Sequence, residues 1–360
     1  MKEIINIIRA YDDLSNTSVK VALATVIDVK GSSYRRTGAR MLIQDNGTYT
    51  GGISGGCIEG NALKKAYLAI TGKKALEVTY DTENDDESQI GVSLGCNGII
   101  TVLLAPVDFA DQNNPVEELR KCIDNRADNI LITILKAKEN LIIKPGEAFK
   151  YTSAEAMEIL LGEGYESSME DDLKQVIKAE KSAIIDYAAC RLFIEFIPPA
   201  TQIVIMGGNY DVYPLLKVVD NMGWLSVVVA NPQRLAREIH QLATSVMPKF
   251  EDVVIDKYTV GIIMSHDYNA DLNNLKKALK SRLAYIGLLG PASRKKDMLA
   301  ELGVDIDGVQ EQLVFGPAGL DIGASQPEEI AISIVSEAIS VMRKRPGTSL
   351  RNRQGPIYER

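Results

Sequence analysis

QIVIMGGNYDVYPL, residues 202–215, decides half of the fold. Gln202–Met206 reads as a buried strand of the parallel type, two glycines follow, and an apolar-periodic run opens at Val212 and ends near Met222. Strand, glycine turn and helix in that order begin a βαβ unit. The pattern recurs downstream. SVVVAN (226–231), VGIIMSHD (260–267) and AYIGLLG (284–290) read as strands, and LNNLKKALKSRL (272–283) and PASRKKDMLAELG (291–303) as helices. Such alternation predicts a parallel sheet with helices on both faces. Residues 197–345 are therefore expected to form a Rossmann-like, doubly wound α/β domain, opened by the proline pair of IPPATQ (197–202), with 346–360 as a basic tail.

Upstream, residues 1–196 read as a mixed α/β domain. MKEIINIIRAYDDL is an amphipathic helix with Ile4, Ile5, Ile8, Tyr11 and Leu14 on one side. VKVALATVIDV (19–29) is a strand, and ARMLIQDNGTYTGGI (39–53) a hairpin about Asp45-Asn46-Gly47. A helix is expected from about Cys57 to Ile70, then strands at ALEVTYDT and Ile99–Leu104, then a helix and two strands in 115–150. Residues 151–182 are polar and weakly patterned and read as a peripheral helical segment.

The chain has 360 residues, a length that favours two domains. A net charge of -8 argues against nucleic acid as a partner. No apolar run reaches the length of a membrane span, and the N-terminal helix is not a signal peptide. The four cysteines are widely spread, so a disulfide framework is not expected and a reducing, cytoplasmic setting is. They also lack the array of an iron–sulfur protein.

GGISGGCIEG (51–60) packs four glycines into six residues and then places Cys57 at a helix start. Unpaired N–H groups and the helix dipole there favour a thiolate, and Gly52, Ser54, Gly55 and Gly56 would form an anion nest. A cysteine filling a tight helix–strand contact fits the same residues. Cys96, in SLGCNG (93–98), repeats the theme beside a buried strand. Together Cys57 and Cys96 fit a soft ligand or metal, whereas a CxxC pair for structural zinc is absent. Cys122 and Cys190 read as core. Arg35, Arg36 and Arg40 of GSSYRRTGARM (31–41) suit a phosphate or carboxylate, though a short basic run is more often a solvated loop.

In the second half, Gly207, Gly208 and Asn209 stand where a dinucleotide fold places its phosphate turn. The fingerprint needs glycine at its first, third and sixth positions, and here Asn209 and Val212 occupy the last two. The acid that would hold a ribose is missing too, since the second strand ends Ala230-Asn231. NAD(P) binding is thus weakly supported. His266 and Asp267 lie at a strand end where ligands bind, Ser293 and Arg294 at a helix start fit an anion, and Asp321 precedes a helix for which Ser325 is the expected cap.

GSSYRRTGARM, GGISGGCIEG, SLGCNG, GGNYDVYPL, MSHDYNADL, YIGLLGPASRKK and GLDIGASQPEEIA together resemble the XdhC/CoxI family, the accessory proteins of xanthine dehydrogenase and related molybdenum hydroxylases. The resemblance runs from about residue 15 to 340. It implies a non-catalytic maturation factor of purine catabolism that binds molybdenum cofactor, protects its sulfurated form and delivers it to an apo-hydroxylase. A cysteine desulfurase and a homodimer are further partners that it implies. By the same resemblance Cys57 and Cys96 approach the molybdenum, while the loops about Gly52–Gly56 and Arg35–Arg40 take the pterin and its phosphate. An NAD(P)-dependent oxidoreductase using the Rossmann-like half, or a nucleotide-binding or pterin-modifying enzyme, are the competing readings.

Overall fold

A computed structural model describes residues 1–31, 33–81, 98–304, 313–354 and 357. The chain divides into two compact units, Met1–Pro199 and Ala200–Arg360.

The first unit is built on β1 (Val21–Gly31), which the β-branched run dictates. On one side it pairs antiparallel with β2 (Arg40–Gln44), which turns through Asn46-Gly47 into β3 (Tyr49–Gly51). Gly47 sits at φ 88°, and the Asn46 side chain accepts from the Thr48 N–H at 2.9 Å, so the expected hairpin forms. β4 (Leu76–Asp81) and β5 (Gly98–Val107) complete a sheet ordered β3-β2-β1-β5-β4. Alternation along β1 sorts its side chains between two layers. Val21 and Leu23 join α1 (Lys2–Leu14), while Ala22, Ala24 and Val26 join α2 (Glu59–Gly72). The small residues Ala62, Ala66 and Ala69 bring α2 close against that second face. On α1 the buried set is Ile4, Ile7, Ile8 and Tyr11, so Ile7 replaces the expected Ile5.

After α3 (Pro115–Ile123), the strands β6 (Asn129–Ala137), β7 (Ala148–Lys150), β8 (Ala183–Asp186) and β9 (Cys190–Ile197) form a second antiparallel sheet, ordered β7-β6-β9-β8. Residues 151–182 contribute α4 (Ala154–Leu161) and α5 (Ser168–Ala179). Met157, Leu161, Met169, Leu173 and Val176 are buried with this sheet, so the segment carries core side chains that its polar composition hides. The two sheets of the unit are tied by a buried ion pair, Arg40 to Glu195, in which Nη1 donates to Oε1 at 2.9 Å and Nη2 to Oε2.

The second unit is the doubly wound α/β domain that the sequence predicts. Its strands are β10 (Gln202–Met206), β11 (Leu225–Val229), β12 (Ser245–Met247), β13 (Thr259–Ile263), β14 (Tyr285–Leu288) and β15 (Val314–Phe315). All pairings are parallel, in the order β12-β11-β10-β13-β14-β15. α6 (Val212–Met222), α7 (Arg237–Leu242) and α10 (Pro327–Met342) cover one face, and α8 (Tyr268–Ala278) and α9 (Ala292–Glu301) the other. The order reverses between β10 and β13, which opens a crevice at their carboxyl ends. The cap of α10 is Gln326 rather than Ser325. Glu329 reaches back to accept from both the Ser325 and Gln326 N–H groups, at 2.8 and 3.1 Å, which completes a capping box about Pro327.

Candidate functional site

The glycine loop after β3 is closed by its own serine. Ser54 Oγ accepts from the N–H groups of Gly56, Cys57 and Ile58 at 3.1, 3.1 and 3.4 Å. The same hydroxyl donates to Glu59 Oε2 at 2.5 Å, and the Ser54 N–H donates to Glu59 Oε1 at 2.8 Å. The expected anion nest is thus filled by a side chain of the loop. Glu59 is buried beside Tyr80. Burial of the Tyr80 hydroxyl, with the Glu59 charge adding to it, pushes that group up to about 12.

Helix α2 begins at Glu59 with Ile58 as its cap, so Cys57 precedes the helix rather than opening it. Its side chain is half-buried, resting on the core beneath α2 with part of its surface open. Cys96 lies outside the described residues. Among the described residues no three His, Cys, Asp or Glu side chains are grouped to hold a metal ion. A single soft donor nevertheless fits a metal that arrives with sulfur ligands of its own. Cys122 and Cys190 are core as expected, and burial pushes their thiols up to about 12 and about 11.

The arginine loop stands beside this one. A side-chain carbon built on Gly55 would lie 3.7 Å from Tyr34 Cβ and Cγ. The three arginines are not a free cationic cluster. Arg40 is 2% exposed and committed to Glu195, and Arg35 pairs with Glu3, whose other oxygen accepts from the Arg40 N–H at 2.9 Å. Arg36 is half-buried. Sequence reasoning missed Tyr34 and Glu59. The signal for Tyr34 was an aromatic ring in a Gly/Ser/Arg loop that has no need of one.

In the second unit the glycine turn is filled as well. A side-chain carbon on Gly207 would lie 2.4 Å from the Met264 carbonyl oxygen, and one on Gly208 would lie 2.2 Å from Leu235 Cδ2. These glycines therefore serve close chain packing. Asn209 Nδ2 donates to the Ser265 carbonyl at 2.9 Å, and Asn231 caps its own turn through the Gln233 N–H. Asp211 stands at the start of α6 without capping it. Its Oδ2 lies 2.6 Å from His266 Nε2, and its buried Oδ1 has no partner among the described residues. His266 adopts φ 63°, the left-handed region that side chains avoid. Asp267 caps α8 by accepting from the Ala270 N–H at 2.7 Å. Arg294 is bound to the buried Asp271 at 2.7 Å, and Asp271 also holds Ser265, so this arginine is not open to an anion. Ser293 and Asp321 are exposed. Gly207, Asn209 and His266 thus come together at the crevice, with Asp211 as the member that sequence reasoning missed.

Two concavities bear on ligand access. One of about 540 Å³ in the first unit is lined by residues such as Ile142, Phe149, Met157 and Leu160, and none of the expected site residues lines it. Another of about 60 Å³ lies at the crevice of the second unit, against Asp211, Met264, Leu289 and Pro327.

A cysteine-bearing α/β unit followed by a Rossmann-like unit with an occupied phosphate turn defines a class of two-unit proteins. Residues 14–81 match the XdhC and CoxI family, and residues 203–338 match the XdhC Rossmann domain. A protein of Bacillus subtilis described as a probable subunit of xanthine dehydrogenase is 26% identical over 341 residues, which cover 92% of this chain and 96% of that one. The molybdenum cofactor insertion chaperone PaoD of Escherichia coli is 21% identical over 325 residues, covering 89% and 82%. A crystal structure described as a xanthine dehydrogenase from Bacillus halodurans superposes with a TM-score of 0.70 at 26% identity, covering 96% of this chain and 98% of that one. The chain belongs to the XdhC/CoxI family. No helix among the described residues is long and apolar enough to cross a membrane.

Proposed function

We propose that this protein is an accessory factor that binds molybdenum cofactor and hands it to the apo-form of a molybdenum hydroxylase. The observation that carries this reading is the half-buried, partly open Cys57 thiol at the mouth of a serine-locked glycine loop. A thiol held at a rigid loop suits a soft metal, and the cofactor supplies the dithiolene sulfurs that the protein does not. The name of the Escherichia coli relative supports the same cargo. The loop's own residues do three things. Ser54 and Glu59 fix the backbone, Cys57 offers one sulfur, and the neighbouring Tyr34 loop bounds the site. The client, a homodimeric state and receipt of sulfur from a desulfurase belong to the same reading, as does a cytoplasmic site of action.

The test is retention. The purified chain is mixed with cofactor released from a molybdoenzyme and desalted, and the retained pterin is oxidised and read by fluorescence. Near-stoichiometric retention is expected, with most of it lost in Cys57→Ala. The melting temperature of that variant should stay close to wild type, because the half-buried thiol contributes little to the core. A collapse of stability together with retention would make Cys57 a packing residue.

A further inference from the structure

The Arg35–Arg40 loop is firmly held, yet it displays a large ring to solvent. Arg35 pairs with Glu3, the Arg40 N–H donates to Glu3 at 2.9 Å, the Gly38 N–H donates to the Val26 carbonyl at 2.8 Å, and the Ala39 N–H to the Arg36 carbonyl at 3.0 Å. Tyr34, one residue before this frame, is 72% exposed. A single exposed ring is ordinary by itself, so its meaning rests on its neighbours.

What lies beside the ring gives it a purpose. Its near flank is Gly55, two residues from Cys57, and a side chain at that position would begin 3.7 Å from Tyr34 Cβ. Gly55 is not held at a positive φ, so the backbone does not demand glycine there. The missing side chain lets the thiol loop approach the ring to within about one carbon's width. Ser33, next in the chain, has a buried hydroxyl with no partner among the described residues, a group that a ligand or water would satisfy.

We infer that the Tyr34 ring is the stacking platform for the planar pterin ring of the ligand whose metal end meets Cys57. The inference rests on the carrier reading above and divides the site in two. Cys57 takes the soft end, and Tyr34 takes the flat end, which stacks without regard to charge. Loss of a base–aromatic stack, roughly 1–3 kcal/mol by alanine substitution, weakens binding by about thirtyfold near the middle of that range.

The experiment compares wild type, Tyr34→Phe, Tyr34→Ala and Cys57→Ala in the retention assay. In parallel, each full chain is titrated into pterin-6-carboxylate, a pterin without metal or dithiolene, and quenching of its fluorescence is followed. Tyr34→Phe is expected to retain cofactor like wild type, and Tyr34→Ala to lose about thirtyfold in affinity for cofactor and to abolish the quench. Cys57→Ala should leave the quench of the metal-free probe intact. Because Tyr34 is exposed, its variants should keep the wild-type melting temperature. If wild type retains cofactor and Tyr34→Ala retains it equally, the platform is wrong and the carrier reading stands. If wild type retains none, the carrier reading fails and the platform falls with it.

Discussion

Two glycine turns feed helices in this chain, and each is closed by a different device. In the first, a serine hydroxyl gathers three backbone N–H groups and leans on the buried Glu59, and the sulfur and an aromatic ring stay open at the rim. In the second, the glycines are pressed against the Met264 carbonyl and Leu235, and an aspartate stands at the helix start. Sequence alone reads the first as an anion nest or a tight packing turn and the second as a degraded phosphate turn. Glycine density marks close approach, and whether a ligand or the chain itself does the approaching is decided by residues further away. The first turn is locked by hydrogen bonds and keeps a thiol accessible at its rim, whereas the second is packed by van der Waals contact and carries the Asp211–His266 pair at its edge.

The hardest way to break this comparison is to unpin the first turn's neighbour. Arg40 and Glu195 are 2% and 4% exposed, and removing one member strands a buried charge. Arg40→Met is expected to cost about 3–5 kcal/mol in denaturant unfolding. Arg40→Met combined with Glu195→Leu should recover most of that loss, because a well-packed apolar pair replaces a buried ion pair at little cost. A single-variant cost below about 1 kcal/mol would show that the pair does not hold the loop's base.

A smaller effect separates the two turns directly. Gly207→Ala places a carbon 2.4 Å from backbone oxygen, which cannot yield as a side-chain tip would. Gly55→Ala places one 3.7 Å from Tyr34, an ordinary contact, at a residue without positive φ. Thermal or chemical unfolding should show a loss of roughly 1–3 kcal/mol for Gly207→Ala and under about 0.5 kcal/mol for Gly55→Ala. Equal losses would erase the contrast between contact-locked and hydrogen-bonded turns.

The parallel sheet was legible because a buried parallel strand carries a continuous apolar run, and QIVIM, SVVV and VGII each do. The hairpin at Asn46-Gly47 was legible from turn chemistry. The core role of the short helices over the second sheet was not, since α4 and α5 bury only two and three side chains respectively and α4 leaves Ile159 and Leu160 exposed, so its apolar residues do not mark the buried face. The candidate site was legible as positions and not as bonds. Nothing local in GSSYRRTGARM says that Arg40 pairs with Glu195, 155 residues away. Nor does GGNYD say that Asp211 reaches His266 across the β10–β13 junction. Charged residues at or beside loops read as available until the long-range partner is known, and here the partners consume Arg35, Arg40 and Arg294.

The smallest expected effect is none, and it concerns the second turn. A dinucleotide with a dissociation constant near 10 μM, supplied at 1 mM, would stabilise its binder by about 2.7 kcal/mol, several degrees of melting temperature for a unit of this size. NAD and NADP are expected to leave the melting curve where it is. Three obstacles act together. Leu235 covers Gly208, the ribose-binding acid is replaced by Asn231, and Asp211 puts a carboxylate where phosphate would meet the helix dipole. The last is the strongest, because a like charge at that point opposes the anion that the fold would otherwise attract. Leu235→Ala alone should therefore restore nothing. A saturable rise with either nucleotide in the wild-type chain would show that the turn opens in solution, and would move the weight of the functional argument to the second unit and its His266.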